Sequence, residues 1–226
     1  MGKRYKKRNC FRVDTSSIKI VTCNNNDIKI NSYVLTYQNY SIVIDPNNYE
    51  EIIETLKDTK LEYIFLTHEH FDHILCVDKL REYYGAKLIA QKLTSKNIQS
   101  SSKNLSKFSE IIFDFMKKTP KYKINEISVN SADIEYDDIF KLEWYGYTFF
   151  FKHTPGHTEG SSCIYVGNYL FTGDSLFKNI NTSFFGNKKL KNDYLNITIP
   201  FFYSLDKNLL VLPGHYESFL LEEKLK

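Results

Sequence analysis

From Ile18 onward, short apolar runs alternate with turn residues. SIKIVT, IKINSYVLTYQ and YSIVIDP, the last closing at Pro46, read as a meander of strands. The period then changes: Tyr49, Ile52, Ile53 and Leu56 recur at i, i+3, i+4 and i+7, which predicts one apolar helical face. LEYIFLT (61–67) is a nearly unbroken apolar run, the pattern of a strand covered on both faces, and Ile74 to Tyr84 predicts a helix stopped at Gly85. AKLIAQKL predicts another strand. Residues 94–106, rich in Ser, Lys and Asn, read as a surface connection, and Leu105, Phe108, Ile111, Ile112 and Phe115 predict a helix after it, ended by Pro120. β-Character returns in INEISVN, DDIFKLEWY, YTFFFKH, SSCIYVG and NYLFTGD. Asp193 to Leu205 predicts a helix that Pro200 must kink or split, LLVLPGH a last short strand, and the charged end a closing helix. No solenoid-type repeat is visible. The order predicts two sheets with helices outside.

Composition narrows the class. The chain has 226 residues, 42% of them hydrophobic and 25% charged, which fits one packed domain. The formal charge of +3 is unevenly placed: Lys3, Arg4, Lys6, Lys7, Arg8 and Arg12 all precede the first acid, Asp14. Removing those six from the 30 basic residues leaves 24 against 27 acidic ones, a net charge of −3 for the remainder. Residues 1–17 therefore read as a flexible basic tail and 18–226 as the domain, with no basic face of the kind that binds nucleic acid. No apolar stretch approaches a membrane span, and the N-terminus lacks the apolar run of a signal peptide, so a cytoplasmic location without membrane association is the expectation. Cys10, Cys23, Cys76 and Cys163 have no CxxC spacing and read as reduced thiols, Cys76 and Cys163 buried.

The chemistry concentrates at 67–73. THEHFDH holds three of the six histidines and two acids at the carboxyl end of an apolar strand. Strand alternation points His68 and His70 the same way, toward one ion, whereas Asp72 and His73 follow on a tightening turn and suit a second. Nitrogen and oxygen ligands without thiolate suit Zn²⁺, Fe or Mn²⁺. The other reading is a polar loop whose histidines cap the next helix. Three distant stretches add ligand types after apolar strands: His157 in HTPGHTEGSS, Asp174 in YLFTGDS and His215 in LLVLPGH. His153, on the strand before His157, reads as a satisfied sheet histidine, Glu69 as a helix cap pointing away from the metals, and Ser161, Ser162 and Cys163 as packing.

The ordered set THxHxDH, TPGHTxGS, TGD and PGH resembles the metallo-β-lactamase superfamily, and its spacing over about residues 18–222 is most similar to glyoxalase II-like hydrolases. The resemblance implies an α/β fold, the αβ/βα four-layer sandwich. It implies two divalent cations, Zn expected and Fe or Mn also suited: His68, His70 and His157 on one, Asp72, His73 and His215 on the other, and Asp174 bridging. It further implies that hydroxide generated between the ions attacks the carbonyl of a small-molecule thioester or ester, with Asp72 as the catalytic acid–base or orienting group.

Within the superfamily, common zinc β-lactamases carry Cys where this chain has Asp174 and lack His73, flavodiiron proteins carry HxExDH where this chain has His70, and nuclease members need a large insertion. Glyoxalase II places a basic residue nine positions after the bridging aspartate and often an aromatic hydroxyl two further on, where this chain has Ser183 and Phe185. It also carries a C-terminal helical region, whereas eleven residues follow His215 here. The expectation is a glyoxalase II-like hydrolase not specific for glutathione. Lys188, Lys189 and Lys191 read as a solvated loop, with anionic substrate contact as the alternative. A mononuclear iron persulfide dioxygenase, or a lactone or phosphodiester hydrolase on the same site, is the competing activity.

Overall fold

The computed structural model describes residues 18–25, 29–115 and 123–225. The basic tail with Cys10 and the helix stop at Pro120 lie outside the described residues. Two six-stranded sheets form the frame. The first runs in the order β1 (Lys19–Asn25), β2 (Ile30–Tyr37), β3 (Tyr40–Ile44), β4 (Lys60–Phe65), β5 (Lys87–Gln91) and β6 (Ile134–Tyr136). The second contains β7 (Ile139–Trp144), β8 (Tyr147–His153), β9 (Ser162–Val166), β10 (Tyr169–Gly173), β11 (Leu210–Pro213) and β12 (Phe219–Leu220), in the spatial order β12-β11-β10-β9-β8-β7. Strands β3 to β6 are parallel to one another, and β10 is parallel to β11.

The period-two alternation divides each strand between two cores. Tyr33, Leu35, Ile42, Ile44, Phe65 and Ile89 of the first sheet meet Phe149, Phe151, Ile164, Phe171 and Leu212 of the second in the central layer. Their neighbours Val34, Val43, Ile64 and Leu88 face outward onto Ile52, Leu56, Val77 and Leu80. These come from α1 (Tyr49–Leu56), started by the Asn48 side chain on Glu51 N, and α2 (Val77–Tyr84), which ends at Gly85. Cys163, Leu170 and Val211 face outward in the second sheet, onto Tyr194 and Phe202. Those two belong to the helical stretch of α5 (Lys188–Asp193), a π-helical turn (Tyr194–Thr198) and α6 (Ile199–Ser204). The result is the four-layer αβ/βα sandwich expected. Among the described residues no helix is long and apolar enough to cross a membrane.

Pro200 splits its helix as anticipated: it lies in the first turn of α6, where a missing N–H costs nothing, directly after the π turn. Four expectations need correction. The helix read from Ile74 starts at Val77, because Phe71–His73 forms a 3₁₀ turn. Residues 94–106 are not a surface connection: Lys92–Asn97 is helix α3, and Thr94, Ser95, Asn104 and Ser106 are buried. INEISVN pairs with no strand. Its backbone bonds instead to that polar segment, Ile127 N to Ser106 Oγ (2.8 Å), Asn104 Nδ2 to Ile127 O (2.8 Å) and Val129 N to Ile98 O (3.0 Å). The closing helix is a single 3₁₀ turn, Leu221–Glu223, which anchors Leu221 and Leu225 in the outer core. Between these lies α4 (Ser109–Phe115), the helix foreseen after Leu105.

Candidate metal centre

All seven predicted ligands meet at one rim of the sandwich. Three sets of ligand atoms lie within 4.8 Å of one another: His68, His70 and His157; Asp72, His73 and His215; and His68, His73 and Asp174. In the first trio, His70 Nδ1 and His157 Nε2 are 3.0 Å apart, close to the roughly 3.3 Å separation of two nitrogens each about 2.05 Å from one tetrahedral ion. In the second, His215 Nε2 is 3.4 Å from Asp72 Oδ2. Asp174 stands between them, with Oδ2 3.6 Å from His157 Nε2 and 3.4 Å from His215 Nε2, and Oδ1 3.4 Å from His73 Nε2.

The close approach of the strand ends needs Gly214. A Cβ there would lie 2.4 Å from Asp174 Oδ1 and 2.6 Å from His73 Cε1. Such contacts are too short for any side chain.

Four of the five rings are aimed by their Nδ1 nitrogen, whereas His70 turns its own Nδ1 toward His157. His73 Nδ1 bonds Asp45 Oδ2 (3.0 Å), His157 Nδ1 bonds Ser183 O (3.1 Å), His215 Nδ1 bonds Lys29 O (3.0 Å), and His68 Nδ1 lies 3.1 Å from Thr67 Oγ1. Bonds to Nδ1 leave Nε2 as the free lone pair, the arrangement that metal-binding histidines use. Asp45 escaped the sequence reading. It is buried at the end of β3 and also receives Thr67 N–H (2.8 Å) and Thr67 Oγ1–H (2.6 Å). Its only sequence signal is an acid before Pro46 at a strand end, beside the strand that carries THEHFDH.

The electrostatics divide along the same line. Burial, reinforced by neighbouring imidazoles, holds His68 and His70 below the usual histidine range, His70 at about 3, and burial lowers His157. For His73 and His215 burial acts in the same direction, but carboxylates overcome it: Asp45 and Asp174 raise His73, and Asp174 and Asp72 raise His215. Burial would lift Asp72 and Asp174. The imidazoles beside them hold both down instead, Asp72 to about 2. The first trio is therefore neutral nitrogen, whereas in the second the carboxylates favour the protonated form of the imidazoles beside them.

The residues present fit a cation. His68 Nε2, His73 Nε2 and Asp174 Oδ1 are buried without a hydrogen-bond partner, a state native interiors rarely tolerate, and all three belong to one of the sets above. Nitrogen and carboxylate donors suit Zn²⁺, Fe or Mn²⁺. The three cysteines among the described residues are buried, and none joins these sets.

The remaining candidates resolve individually. His153 Nε2 bonds Glu159 O (2.7 Å), the sheet-histidine reading. Glu69 does point away from the cluster, but it caps no helix: it is buried and bonded to Thr158 and Asn97. Ser161 Oγ accepts from Thr158 N (2.9 Å), and Cys163 packs in the outer core. Lys188, Lys189 and Lys191 lie on α5 rather than in a loop, and Lys189 pairs with Asp193 and Glu159.

Similarity to known proteins agrees with this geometry. The Metallo-beta-lactamase superfamily model matches residues 26–215. A hydroxyacylglutathione hydrolase of Pelagibacter ubique is 32% identical over 144 residues, covering 62% of this chain and 47% of that protein. The chain spans about half the length of the curated relatives it matches. Among solved structures, the BLEG-1 B3 metallo-beta-lactamase superposes with a TM-score of 0.71 at 24% identity, covering 91% of this chain and 96% of its own. TTHA1623, solved in a di-iron-bound form, gives 0.64 at 21%, covering 91% and 96%. At these identities the two structures share the fold. With the family match running from β2 to the last ligand, the chain belongs to the metallo-beta-lactamase superfamily.

Proposed function

We propose that this chain is a dinuclear metal-dependent hydrolase of a small thioester or ester. His68, His70 and His157 would hold one ion, Asp72, His73 and His215 the other, and Asp174 both. The observation that carries this reading is the Asp174 carboxylate, whose Oδ2 sits 3.6 Å from a nitrogen of the first trio and 3.4 Å from one of the second. Two cations held there would supply Lewis acidity, able to polarise a carbonyl and to bring the pKa of water down toward neutrality.

The chain's own groups do the rest. Asp72 is an ionised carboxylate at the rim, able to orient the attacking water and accept its proton at the oxygen that does not face His215. Phe185, 62% exposed and held at φ 48°, packs against His70 and His157 with ring centroids 5.6 Å away. Phe177 stands 6.3 Å from the His215 ring on the other side. These aromatic faces favour a small apolar acyl or thiol group. Ser183 contributes its carbonyl to His157 rather than a cation to substrate. That supports a thioester other than one of glutathione, although a relative is named for hydroxyacylglutathione.

The test is to purify the protein, measure its metal, strip it with chelator, and assay short-chain acyl thioesters of uncharged thiols beside a hydroxyacyl-glutathione thioester. Turnover should vanish on stripping, return with zinc, and favour the uncharged thiols. Stripped protein that hydrolyses as fast as loaded protein sinks the mechanism. One equivalent of iron with oxygen uptake on a persulfide would replace hydrolysis with the dioxygenase reading.

A further inference from the structure

Glu69 lies between two of the ligands yet faces away from them into the interior, and it is 4% exposed. Its carboxylate meets groups from two other segments. Thr158 Oγ1–H donates to Oε2 (2.8 Å), and Asn97 Nδ2–H donates to Oε1 (2.9 Å). Thr94 Oγ1 is also near, at 3.5 Å, but its single hydrogen goes to Gly160 O at 2.9 Å. Burying a carboxylate is costly unless donors surround it, and these donors raise no conflict: all of them need an acceptor.

The donors belong to a chain of order. Thr158 N–H donates to Ser161 Oγ (2.9 Å), which in turn can donate to Thr158 Oγ1 (2.9 Å), leaving the Thr158 proton for Glu69. Thr158 follows His157 directly, and Glu69 follows His68 and precedes His70. α3 seals the junction: Gly160 packs so tightly on it that a Cβ would lie 2.5 Å from Thr94 N. The loop of His157 is also tied to the first motif by Ser162 N to Thr67 O (2.8 Å).

The geometry points to Glu69 as a positioning residue: it clamps the His68/His70 segment to the His157 loop and so sets the spacing of the first trio. The second trio is aimed by other groups, Asp45 on His73 and Lys29 O on His215. Loss of the Glu69 clamp should therefore weaken one metal site and spare the other. Partners that orient ligands from behind are worth roughly 10- to 100-fold in metal affinity.

This rests on the ligand assignment proposed above, and the experiment separates the two. Zinc affinity is measured in a buffered zinc series, with metal content as the readout, for Glu69→Ala, Glu69→Gln and Thr158→Val. Each is made in a His215→Ala background, which leaves the first trio whole, and in a His157→Ala background, which leaves the second whole. In the first background Glu69→Ala and Thr158→Val should weaken zinc roughly 10- to 100-fold. Glu69→Gln should recover most of the affinity, because its amide keeps an acceptor for Thr158 and Asn97 can turn its own amide to match. In the second background zinc affinity should not move. Equal weakening in both backgrounds, unchanged affinity in both, or Glu69→Gln as weak as Glu69→Ala overturns the positioning role. A parent chain that takes up no zinc overturns the ligand assignment and this role with it.

Discussion

Asp45→Asn tests how the second trio is aimed. The wild-type carboxylate accepts three bonds: Thr67 N–H at Oδ1, and Thr67 Oγ1–H and His73 Nδ1–H at Oδ2. The amide can keep the first bond through its oxygen, which turns its NH₂ toward Thr67 Oγ1 and His73 Nδ1. Thr67 adapts by rotating its hydroxyl to accept. His73 cannot: two N–H groups would face each other, so it must shift its proton to Nε2, the nitrogen 3.4 Å from Asp174 that the candidate site needs as a lone pair. The expected loss is about 10- to 100-fold in zinc affinity at the second trio. That equals about 1.4–2.8 kcal/mol. A charge-assisted hydrogen bond is also lost, so the chelator-treated protein should unfold in urea with about 1.5–3 kcal/mol less stability. The assay is the buffered zinc series in the His157→Ala background, with urea unfolding alongside. Wild-type zinc affinity in Asp45→Asn would refute the tautomer argument. So would an equal loss at the first trio, which Asp45 reaches only through the Thr67 hydroxyl beside His68 Nδ1.

Two further outcomes are expected. Gly214→Ala places a methyl group 2.4 Å from Asp174 Oδ1, so it should lower the zinc stoichiometry while circular dichroism stays native; full stoichiometry would show that the strand ends can separate without consequence. Cys23, Cys76 and Cys163 are buried, and burial lifts the thiols of Cys76 and Cys163 to about 12, so Ellman's reagent at pH 8 should leave at least these three of the four thiols unlabelled until urea is added; prompt labelling of more than one thiol in the folded protein contradicts the packing.

Periodicity made the sandwich legible because each strand serves two apolar layers. Phe149 and Phe151 face the central core, Cys163 and Leu170 the outer one, and the alternation is visible without partners. Composition failed where polar residues are buried against distant backbone. Asn104 looks like a surface residue, yet its amide donates to Ile98 O (3.1 Å) and Ile127 O (2.8 Å), and Ser95 Oγ donates to Glu135 (2.6 Å). Those partners are unknowable before the chain is folded. The same limit explains the site. His68, His70, Asp72 and His73 announce themselves by density, and His157, Asp174 and His215 by their place after apolar strands. Glu69 acts through hydrogen bonds to residues 28 and 89 positions away, which a lone acid does not announce, and Asp45 through bonds to residues 22 and 28 away, its one mark being its place after β3.

The direction of the strands explains why one rim collects these groups. β3, β4 and β5 are parallel, so their carboxyl ends deliver Asp45, the 67–73 motif and α3 with Thr94 and Asn97 to the same edge of the first sheet. In the second sheet β8 and β10 both run antiparallel to β9, and β10 runs parallel to β11, so all three end together and deliver His157, Asp174 and His215. Carboxyl ends of parallel strands are where α/β sheets gather ligands. Here two such edges face each other across the central core. A residue at either edge is therefore read best by the strand it follows: Asp45 comes one residue after β3 and His68 three after β4, and that adjacency, rather than residue type, marks Asp45 as part of the centre.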